Sequence, residues 1–242
     1  MAKAQRPKTT SARRGLLARP LDSLVFLLPL ILFYEIVSMT RPSRVIAFVL
    51  LQRFFELFGR VGVWAPGLAV VVILLATHVA SGQPWRIHWR RVGLMYVEAV
   101  ALAIPLLTLN WAVPIYAPAT LSAAPGTDEL LGQVAIGIGA GIYEELVFRL
   151  LMISLLVMIG IDFFKLNATW VTIAAVVVGS LAFAAHHHRP IGLDPFALTP
   201  FLFRSMAGAY LAVVFWYRGY GPAAGCHAAY NTVLTLINAR II

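Results

Sequence analysis

The sequence predicts an all-α protein, a polytopic bundle of about seven or eight transmembrane helices. Two observations lead to this fold class. Of the 242 residues, 60% are hydrophobic and only 12% are charged, against about 45–50% and about 25% in ordinary globular chains. The apolar residues also fall into runs of about 20, the length that an α-helix needs to cross a bilayer. These features exclude a soluble domain.

The net charge of +9 (19 Lys and Arg minus 10 Asp and Glu) is concentrated at the ends of the apolar runs. Six basic residues precede the first acid, Asp22, and form a basic arm over residues 1–21. A second cluster separates two apolar runs and consists of Arg86, Arg90 and Arg91. Basic segments of polytopic proteins stay in the cytoplasm. We therefore expect a multi-pass protein of the cell membrane with a cytoplasmic N-terminus and no nucleic-acid partner.

Residues 22–128 are predicted to form the N-terminal transmembrane helices. The spans expected there are Asp22–Thr40, Val61–Ala80 and Val92–Ala117. In the third, Pro105 and Pro114 are expected to kink or end the helix. The shorter Val45–Gly59 run contains charged residues and is predicted to be an amphipathic or interfacial helix.

Residues 129–242 hold the remaining runs, after a less apolar connection over Pro118–Glu129. The expected spans are Leu130–Ile161, Leu166–His188, Pro195–Trp216 and Pro222–Ile241. The first of them is too long for one upright helix and begins with a glycine-rich half. Splitting this run, or counting the interfacial helix, raises the number of spans from seven to eight.

Ionisable groups inside apolar spans are costly and are candidates for function. The first such cluster is Glu144-Glu145 followed after three residues by Arg149. Glu145 and Arg149 lie one helical turn apart in the favourable order for an ion pair. Glu144 projects about 100° away, so it is left to face a cavity as a general base. Alone, this cluster is equally consistent with a buried salt-bridge triad that holds helices together.

Three consecutive histidines, His186, His187 and His188, point in three directions, so at most two of them reach a common centre. The polar turn before this run is centred near Lys165. In an antiparallel hairpin about that turn, His187 lies at the depth of Glu144, and His186 serves nearly as well. His188, and with it His186, is otherwise expected to form a polar cap where the helix leaves the membrane.

His227 and Asn231 are four residues apart, so they share one face of the last run and present donors in the same direction. His227 follows the Arg218–Gly221 turn by only six residues, which predicts a shallow position. A shared site with Glu144 then requires that Pro195–Trp216 is partly re-entrant or that the span boundaries differ.

Three further residues stand apart from these clusters. Arg204 and Glu98 are intramembrane charges for which a structural role and a place on a substrate path are both open. Cys226 is the single cysteine, so an intramolecular disulfide and a zinc site of several thiolates are excluded. We expect Cys226 to be a small buried hydrophobic residue.

The three clusters, in this order and each within its own apolar run, resemble the CPBP family of intramembrane endopeptidases (the CAAX-prenyl-protease and bacteriocin-processing, or Abi, family). The family motifs are EExxxR, FxxxH and HxxxN or HxxxD. They are matched by Glu144, Glu145 and Arg149, by Phe183 and His187, and by His227 and Asn231. The resemblance covers about Gly132 to Val233. One departure is Leu150, where the family usually has a small residue.

This resemblance implies an intramembrane protease that hydrolyses a peptide bond in a membrane-associated peptide or protein, with residues 129–242 as its catalytic core. Glu144 would be the general base, and His187 its partner on the attacking water. His227 and Asn231 would stabilise the oxyanion, whereas Glu145 and Arg149 would organise the helix. None of the motif residues is a serine or cysteine placed as a nucleophile beside a base, which disfavours an acyl-enzyme route.

Two alternatives accompany this hypothesis. Glu144, His187 and His227 also have the ligand chemistry of a catalytic zinc site, and the family was long described as metalloproteases. We expect no cofactor, with a zinc-dependent version of the same protease as the alternative. The rival class is a non-enzymatic polytopic protein, a transporter or a scaffold. Transporters often contain inverted repeats, and no repeat is visible here.

Overall fold

The computed structural model describes residues 19–40, 65–113 and 126–241. The first 18 residues of the basic arm, the Val45–Gly59 run, Pro114 and most of the predicted Pro118–Glu129 connection lie outside the described residues.

The described residues form seven helices and no strand. They are α1 (Pro20–Thr40), α2 (Ala65–Ser81), α3 (Trp89–Ala112), α4 (Thr127–Phe163), α5 (Ala168–Ala185), α6 (Leu198–Arg218) and α7 (Tyr220–Asn238). Helices α1, α3, α4, α5 and α6 are long and apolar enough to cross a membrane, and α2 is a shorter apolar helix. The predicted all-α, polytopic class is confirmed.

Helix α3 continues through Pro105 to Ala112, so of the two predicted effects, a kink or an end, Pro105 does not end this helix. Proline is tolerated in membrane helices because neighbouring groups satisfy the backbone atoms that it frees or disturbs. Here the Tyr210 hydroxyl donates to the Leu102 carbonyl at 2.8 Å, about one turn before the proline.

Helix α4 is continuous over 37 residues, so the long run is not split. It begins at Thr127, inside the predicted connection. Two segments of it are π-helix, Leu146–Ile153 and Met158–Phe163. The first begins directly after Glu144 and Glu145. Such π segments widen the backbone turn locally and occur frequently at functional sites.

The glycine-rich half of α4 allows α7 to approach closely. A Cβ atom on Gly141 would lie 2.5 Å from the Ala228 backbone nitrogen, and one on Gly137 would lie 2.9 Å from the Asn231 Cβ. Membrane helices use small residues in this way, because two backbones can come together only where side chains are absent. This contact brings the HxxxN motif beside the EExxxR motif.

Glu98 and Cys226, which stand apart from the three clusters, have structural roles. Glu98 on α3 pairs with Arg218 at the end of α6, with 2.8 Å between Glu98 Oε2 and Arg218 Nη2. Cys226 is fully buried within an apolar cluster, as predicted for a small hydrophobic residue.

Candidate active site

The two adjacent glutamates of α4 have different surroundings. Glu145 pairs with Arg149, with 3.0 Å between Oε1 and Nη1, and both side chains are buried. Arg149 also donates to the Gly208 carbonyl at 3.2 Å, and its guanidinium lies over the Phe183 ring, 4.3 Å from the centroid. The predicted ion pair is present, and it links α4 to α5 and α6.

Glu144 faces three imidazole rings instead of an arginine. Its Oε1 lies 3.3 Å from His186 Nε2 and 3.8 Å from His187 Nε2. Its Oε2 lies 3.9 Å from His227 Nε2. Glu144 is itself only 5% exposed. The structure therefore brings Glu144 and His187 together, as the hairpin count predicts, and adds His227 from α7.

His186 is the histidine closest to Glu144, so the expectation that it forms a polar cap is wrong. Its ring packs against Phe148 and Phe183, with centroid distances of 4.7 and 5.6 Å. The physical reason is that α5 ends at Ala185, and the His187 and His188 N–H groups bond to carbonyls three residues back instead of four. In this tighter turn, the His186 and His187 rings both face the same carboxylate.

His188 lies apart from this cluster and holds the loop between α5 and α6. Its Nδ1 lies 3.1 Å from the Pro195 carbonyl, and its ring packs against Phe196 and Phe201. It is 3% exposed, so it is a buried structural residue rather than a cap at an interface.

The bonds on the far side of each ring indicate which nitrogen carries the proton. The Phe183 carbonyl lies 2.5 Å from His186 Nδ1 and 2.9 Å from His187 Nδ1. Since a carbonyl only accepts hydrogen bonds, each Nδ1 is the donor, and in a neutral ring Nε2 is then an acceptor. An acceptor nitrogen and a carboxylate repel each other. The cluster of Glu144, His186, His187 and His227, called the centre below, therefore suits a species that lies between the carboxylate and the rings: a proton, a water molecule or a metal ion.

His227 contacts both glutamates. Its Nδ1 lies 3.0 Å from Glu145 Oε1, the oxygen that also pairs with Arg149. This bond orients the ring so that Nε2 faces Glu144. Glu145 therefore holds Arg149 and His227 in place, whereas Glu144 faces the centre.

The expected shallow position of His227 does not separate it from the acidic pair. A position six residues after the Arg218–Gly221 turn is shallow only if that turn lies at the surface of the bundle. Gly219 and Tyr220 are instead buried, and the Tyr220 hydroxyl donates to the Ile142 carbonyl at 2.8 Å. Because α7 begins with residues that are packed against neighbouring helices, two helical turns bring His227 to Glu145.

A cavity of about 230 Å³ adjoins the centre. His187, His227 and Asn231 line it together with Arg204 and apolar side chains. The Asn231 amide donates to the Gly137 carbonyl at 3.0 Å, which orients the side chain. An amide NH₂ has two protons, so the geometry leaves Asn231 a second one for a ligand.

Sequence reasoning missed the support that the site receives from α1. The Tyr143 hydroxyl, next to Glu144 in sequence, donates to Glu35 Oε1 at 3.1 Å, and both residues are buried. The signal was present in the sequence, because Glu35 interrupts an otherwise apolar span.

The residues of the centre fit a metal ion as well as a water molecule. Glu144, His186 and His187 offer ligand atoms that all lie within 4.8 Å of one another, and imidazole with carboxylate is a ligand set that zinc uses. This group has His186 where the predicted zinc ligands have His227. Such an ion would be held by these side chains and would polarise a bound water molecule.

Fold and site together define a polytopic membrane protein with a buried carboxylate–histidine centre beside a cavity, an arrangement suited to hydrolysis. The family model of the type II CAAX prenyl endopeptidases, Rce1-like, matches residues 126–233. This match confirms the resemblance read from the three motifs and supports a CAAX-type intramembrane protease in general. No curated protein and no solved structure gave a significant match.

Proposed function

We propose that this protein hydrolyses a peptide bond of a membrane-associated peptide or protein, with Glu144 as the base that activates water and without a metal cofactor. The observation that carries this proposal is the placement of Glu144 within 3.3–3.9 Å of three imidazole nitrogens, beside a cavity. A buried salt bridge would need only the Glu145–Arg149 pair, so a structural role leaves the surroundings of Glu144 unexplained.

The roles follow from position. Glu144 takes a proton from the attacking water molecule and passes it to His187 Nε2, 3.8 Å away, and His187, on the cavity wall, gives that proton to the leaving amine. Asn231 donates to the oxyanion that forms as water attacks. His227 adds a second donor when its Nε2 carries a proton. Glu145 and Arg149 hold α4, α5 and α7 in register.

We also propose the placement of these parts in the cell. Residues 129–242 are the catalytic core in the cell membrane, residues 22–128 are supporting helices, and residues 1–21 are a cytoplasmic arm. The lipid bilayer is the surrounding partner. The support is that each proposed catalytic residue lies on α4 or later, whereas Glu35 of α1 contacts Tyr143 from outside this core.

The test replaces Glu144 by Gln, which keeps the side chain's size and removes the base. A strain that lacks the chromosomal gene is complemented with wild type or variant, and uncleaved membrane proteins are measured by proteomics. Glu144→Gln should match the empty strain, with an unchanged melting temperature. Glu129→Gln is the matched control, since Glu129 is an exposed glutamate of the same helix.

Asn231→Ala should lower turnover by a factor of about 10²–10³, because it removes one donor to the oxyanion, and the remaining activity should be measurable.

Glu145→Gln separates catalysis from structure. It should lower the melting temperature as well as activity, because it leaves Arg149 buried without its charge partner, a change that costs about 3–5 kcal/mol. A Glu144→Gln protein that cleaves at the wild-type rate would refute the assignment of the base. If the wild-type protein lowers the level of no uncleaved membrane protein relative to the empty strain, the non-enzymatic scaffold is favoured.

The zinc-dependent alternative is favoured by one observation, the convergence of acceptor nitrogens on Glu144. Elemental analysis of active, purified protein and inhibition by a strong chelator distinguish the two versions. We expect near-zero zinc and little inhibition. Stoichiometric zinc that is lost in parallel with activity would overturn the metal-free proposal.

A further inference from the structure

We propose that a second cavity, remote in sequence from the proposed catalytic residues, binds the phosphate group of an anionic lipid headgroup through His78, Arg19 and Arg86. This cavity is lined by residues from the start of α1, the end of α2 and the loop between α2 and α3. Each proposed catalytic residue lies on α4 or later. The site is therefore independent of the proposed hydrolysis, and its test needs no peptide substrate.

The wall of this cavity carries more positive than negative charge. Its volume is about 440 Å³, within the range of about 300–1,000 Å³ that is usual for small-molecule sites. Arg19 and Arg86 bring two positive charges to the wall, and Asp22 brings one negative charge. Asp22 is already engaged, because its Oδ1 accepts from the His88 backbone N–H at 3.1 Å and its Oδ2 lies 3.7 Å from Arg19 Nη1. The wall therefore favours an anion.

His78 provides the observation that points to a ligand. It lies in the last turn of α2, lines the cavity and is only 2% exposed. Its ring packs edge-on against Trp85, with 4.5 Å between the centroids. Among the described residues, neither nitrogen of this ring has a hydrogen-bond partner. A buried polar group without a partner is costly, and imidazole offers an N–H donor. An anionic oxygen in the cavity would satisfy that donor.

The start of α3 adds to the attraction for an anion. This helix begins at Trp89, directly after His88 of the cavity wall, and its first turn contains no acidic residue and no side-chain cap. The first N–H groups of a helix lack intrahelical partners and carry partial positive charge. Phosphate groups bind at such positions. Helix α1 differs, because Asp22 lies in its first turn.

Two tryptophans indicate the depth of the cavity in the membrane. Trp85, in the loop between α2 and α3, and Trp89, at the start of α3, are 64% and 68% exposed. Exposed tryptophans are enriched at the level of the lipid headgroups, and α3 is long and apolar enough to cross the membrane. Basic pockets between membrane helices bind anionic headgroups. The bilayer is therefore the source that presents a phosphate group at this depth.

A metal ion is the competing occupant, because Asp22, His78 and His88 have side chains that zinc uses as ligands. The two guanidinium groups of the same wall disfavour a cation. In the part of the chain that the structure describes, the group of ligand atoms within 4.8 Å of one another is the one at Glu144, and it does not include these residues. Phosphate is therefore favoured, and zinc is one outcome of the test.

The experiment measures displacement of a fluorescent phosphatidylglycerol from the purified protein in uncharged detergent. The competitors are short-chain phosphatidylglycerol, short-chain phosphatidylcholine and inorganic phosphate. Physiological ionic strength limits the reach of charges outside the cavity to about 8 Å. The variants are His78→Phe, which keeps an aromatic ring and removes its nitrogens, and Arg86→Gln. The matched control is Arg90→Gln, an exposed arginine of α3 that does not line the cavity.

His78→Phe should weaken binding of phosphatidylglycerol about ten- to hundred-fold, since it removes a hydrogen bond to a charged group. Its melting temperature without lipid should not fall, because an apolar ring replaces two unpaired buried nitrogens. Arg86→Gln should weaken binding about five-fold, the effect of one basic residue beside an anionic headgroup. Arg90→Gln should weaken binding by less than about two-fold, because its charge is screened.

The competitors identify the source of the phosphate group. Phosphatidylcholine should displace the probe more weakly than phosphatidylglycerol, because its choline group is cationic and the wall is positively charged. Inorganic phosphate should also be weaker, because it lacks the acyl chains that remain in the detergent. If inorganic phosphate competes as strongly as phosphatidylglycerol, the site binds free phosphate and the lipid source is overturned.

Unchanged affinity in His78→Phe would overturn the site. Equal weakening by Arg86→Gln and Arg90→Gln would show unspecific attraction to the charged end of the bundle, which would overturn it too. A zinc-dependent rise in melting temperature that Glu144→Gln keeps and His78→Phe loses would make the cavity a metal site instead. Loss of hydrolysis changes none of these measurements, so the two proposals fail separately.

Discussion

At the scale of residues, His186 and His187 both contact Glu144 but differ in their surroundings. The His187 side chain is 24% exposed and lines the cavity, whereas that of His186 is 11% exposed and packs against Phe148 and Phe183. Water and substrate can reach the first ring more readily than the second. We therefore expect His187 to act on water and His186 to position the Glu144 carboxylate.

Single alanine replacements of the three histidines test this difference. His187→Ala should lower turnover by about 10²–10⁴, the usual contribution of a general acid or base. It should lower the melting temperature less than His186→Ala, since the His187 ring packs on Phe183 and His186, whereas His186 also packs on Phe148. His186→Ala should lower both turnover and melting temperature, because it also removes aromatic contacts of about 0.5–1.5 kcal/mol each. His188→Ala should lower mainly the melting temperature, since it breaks the bond to the Pro195 carbonyl.

Turnover and thermal unfolding are measured on the same purified proteins. Wild-type turnover in His187→Ala, with activity lost in His186→Ala, would show that the catalytic histidine is displaced by one residue from the one that the FxxxH motif selects.

At the scale of elements, the site depends on how closely α4 and α7 approach. Gly137 and Gly141 remove side chains from α4 where Asn231 and Ala228 of α7 lie against it. The bond between His227 and Glu145 crosses this same interface. A separation of the two helices by an ångström would therefore break the site before it unfolds the bundle.

Gly141→Ala should destabilise the protein and reduce its activity. The new Cβ would lie 2.5 Å from the Ala228 nitrogen, and overpacking of this kind costs about 1–3 kcal/mol. The matched control is Gly132→Ala in the same helix, where nothing lies within 4 Å of the new Cβ. Removing that helical glycine should stabilise the protein by about 0.5–1 kcal/mol.

Thermal unfolding and turnover of both variants check this prediction. Equal melting temperatures for Gly141→Ala and Gly132→Ala would mean that the α4–α7 contact is looser than the structure describes.

At the scale of the whole molecule, four arginines lie near one another at one end of the bundle. Arg19, Arg91 and Arg218 line one cavity, and Arg86 lines another with Arg19. Helix α6 runs from Leu198 to Arg218 over 21 residues, about 31 Å, so the loop between α5 and α6 lies at the other end. Positively charged ends stay in the cytoplasm, which would place that loop, and Asp194 within it, on the non-cytoplasmic side.

Cysteine labelling in intact cells tests this orientation. The native Cys226 is fully buried, so an introduced cysteine should be the one that reacts. A maleimide that does not cross membranes should label Leu193→Cys, in the loop between α5 and α6, and should label Pro84→Cys, between α2 and α3, only after permeabilisation. Both positions are exposed. The reversed pattern would place the cationic end outside the cell.

The sequence by itself determined the fold class, the resemblance to a family of membrane proteases and the local pairs of the site. The length of the apolar runs shows which segments are long enough to span a bilayer. The period of 3.6 residues places Glu145 and Arg149 on the same face of one helix. Counting residues outward from the turn near Lys165 also predicted that Glu144 and His187 lie at the same depth, because both positions are measured from that one turn. Each of these inferences uses only short or directly connected stretches of chain.

The tertiary structure alone decided which groups from different helices meet. His227 reaches Glu145 because the turn at Gly219 is buried, and His186 reaches Glu144 because α5 ends at Ala185. Arg204 enters the cavity, and Glu35 supports Tyr143, through packing between helices that are distant in sequence. The physical reason is that the depth and rotation of one helix against another are set by close packing of side chains across the whole interface. Periodicity within a single span does not carry that information.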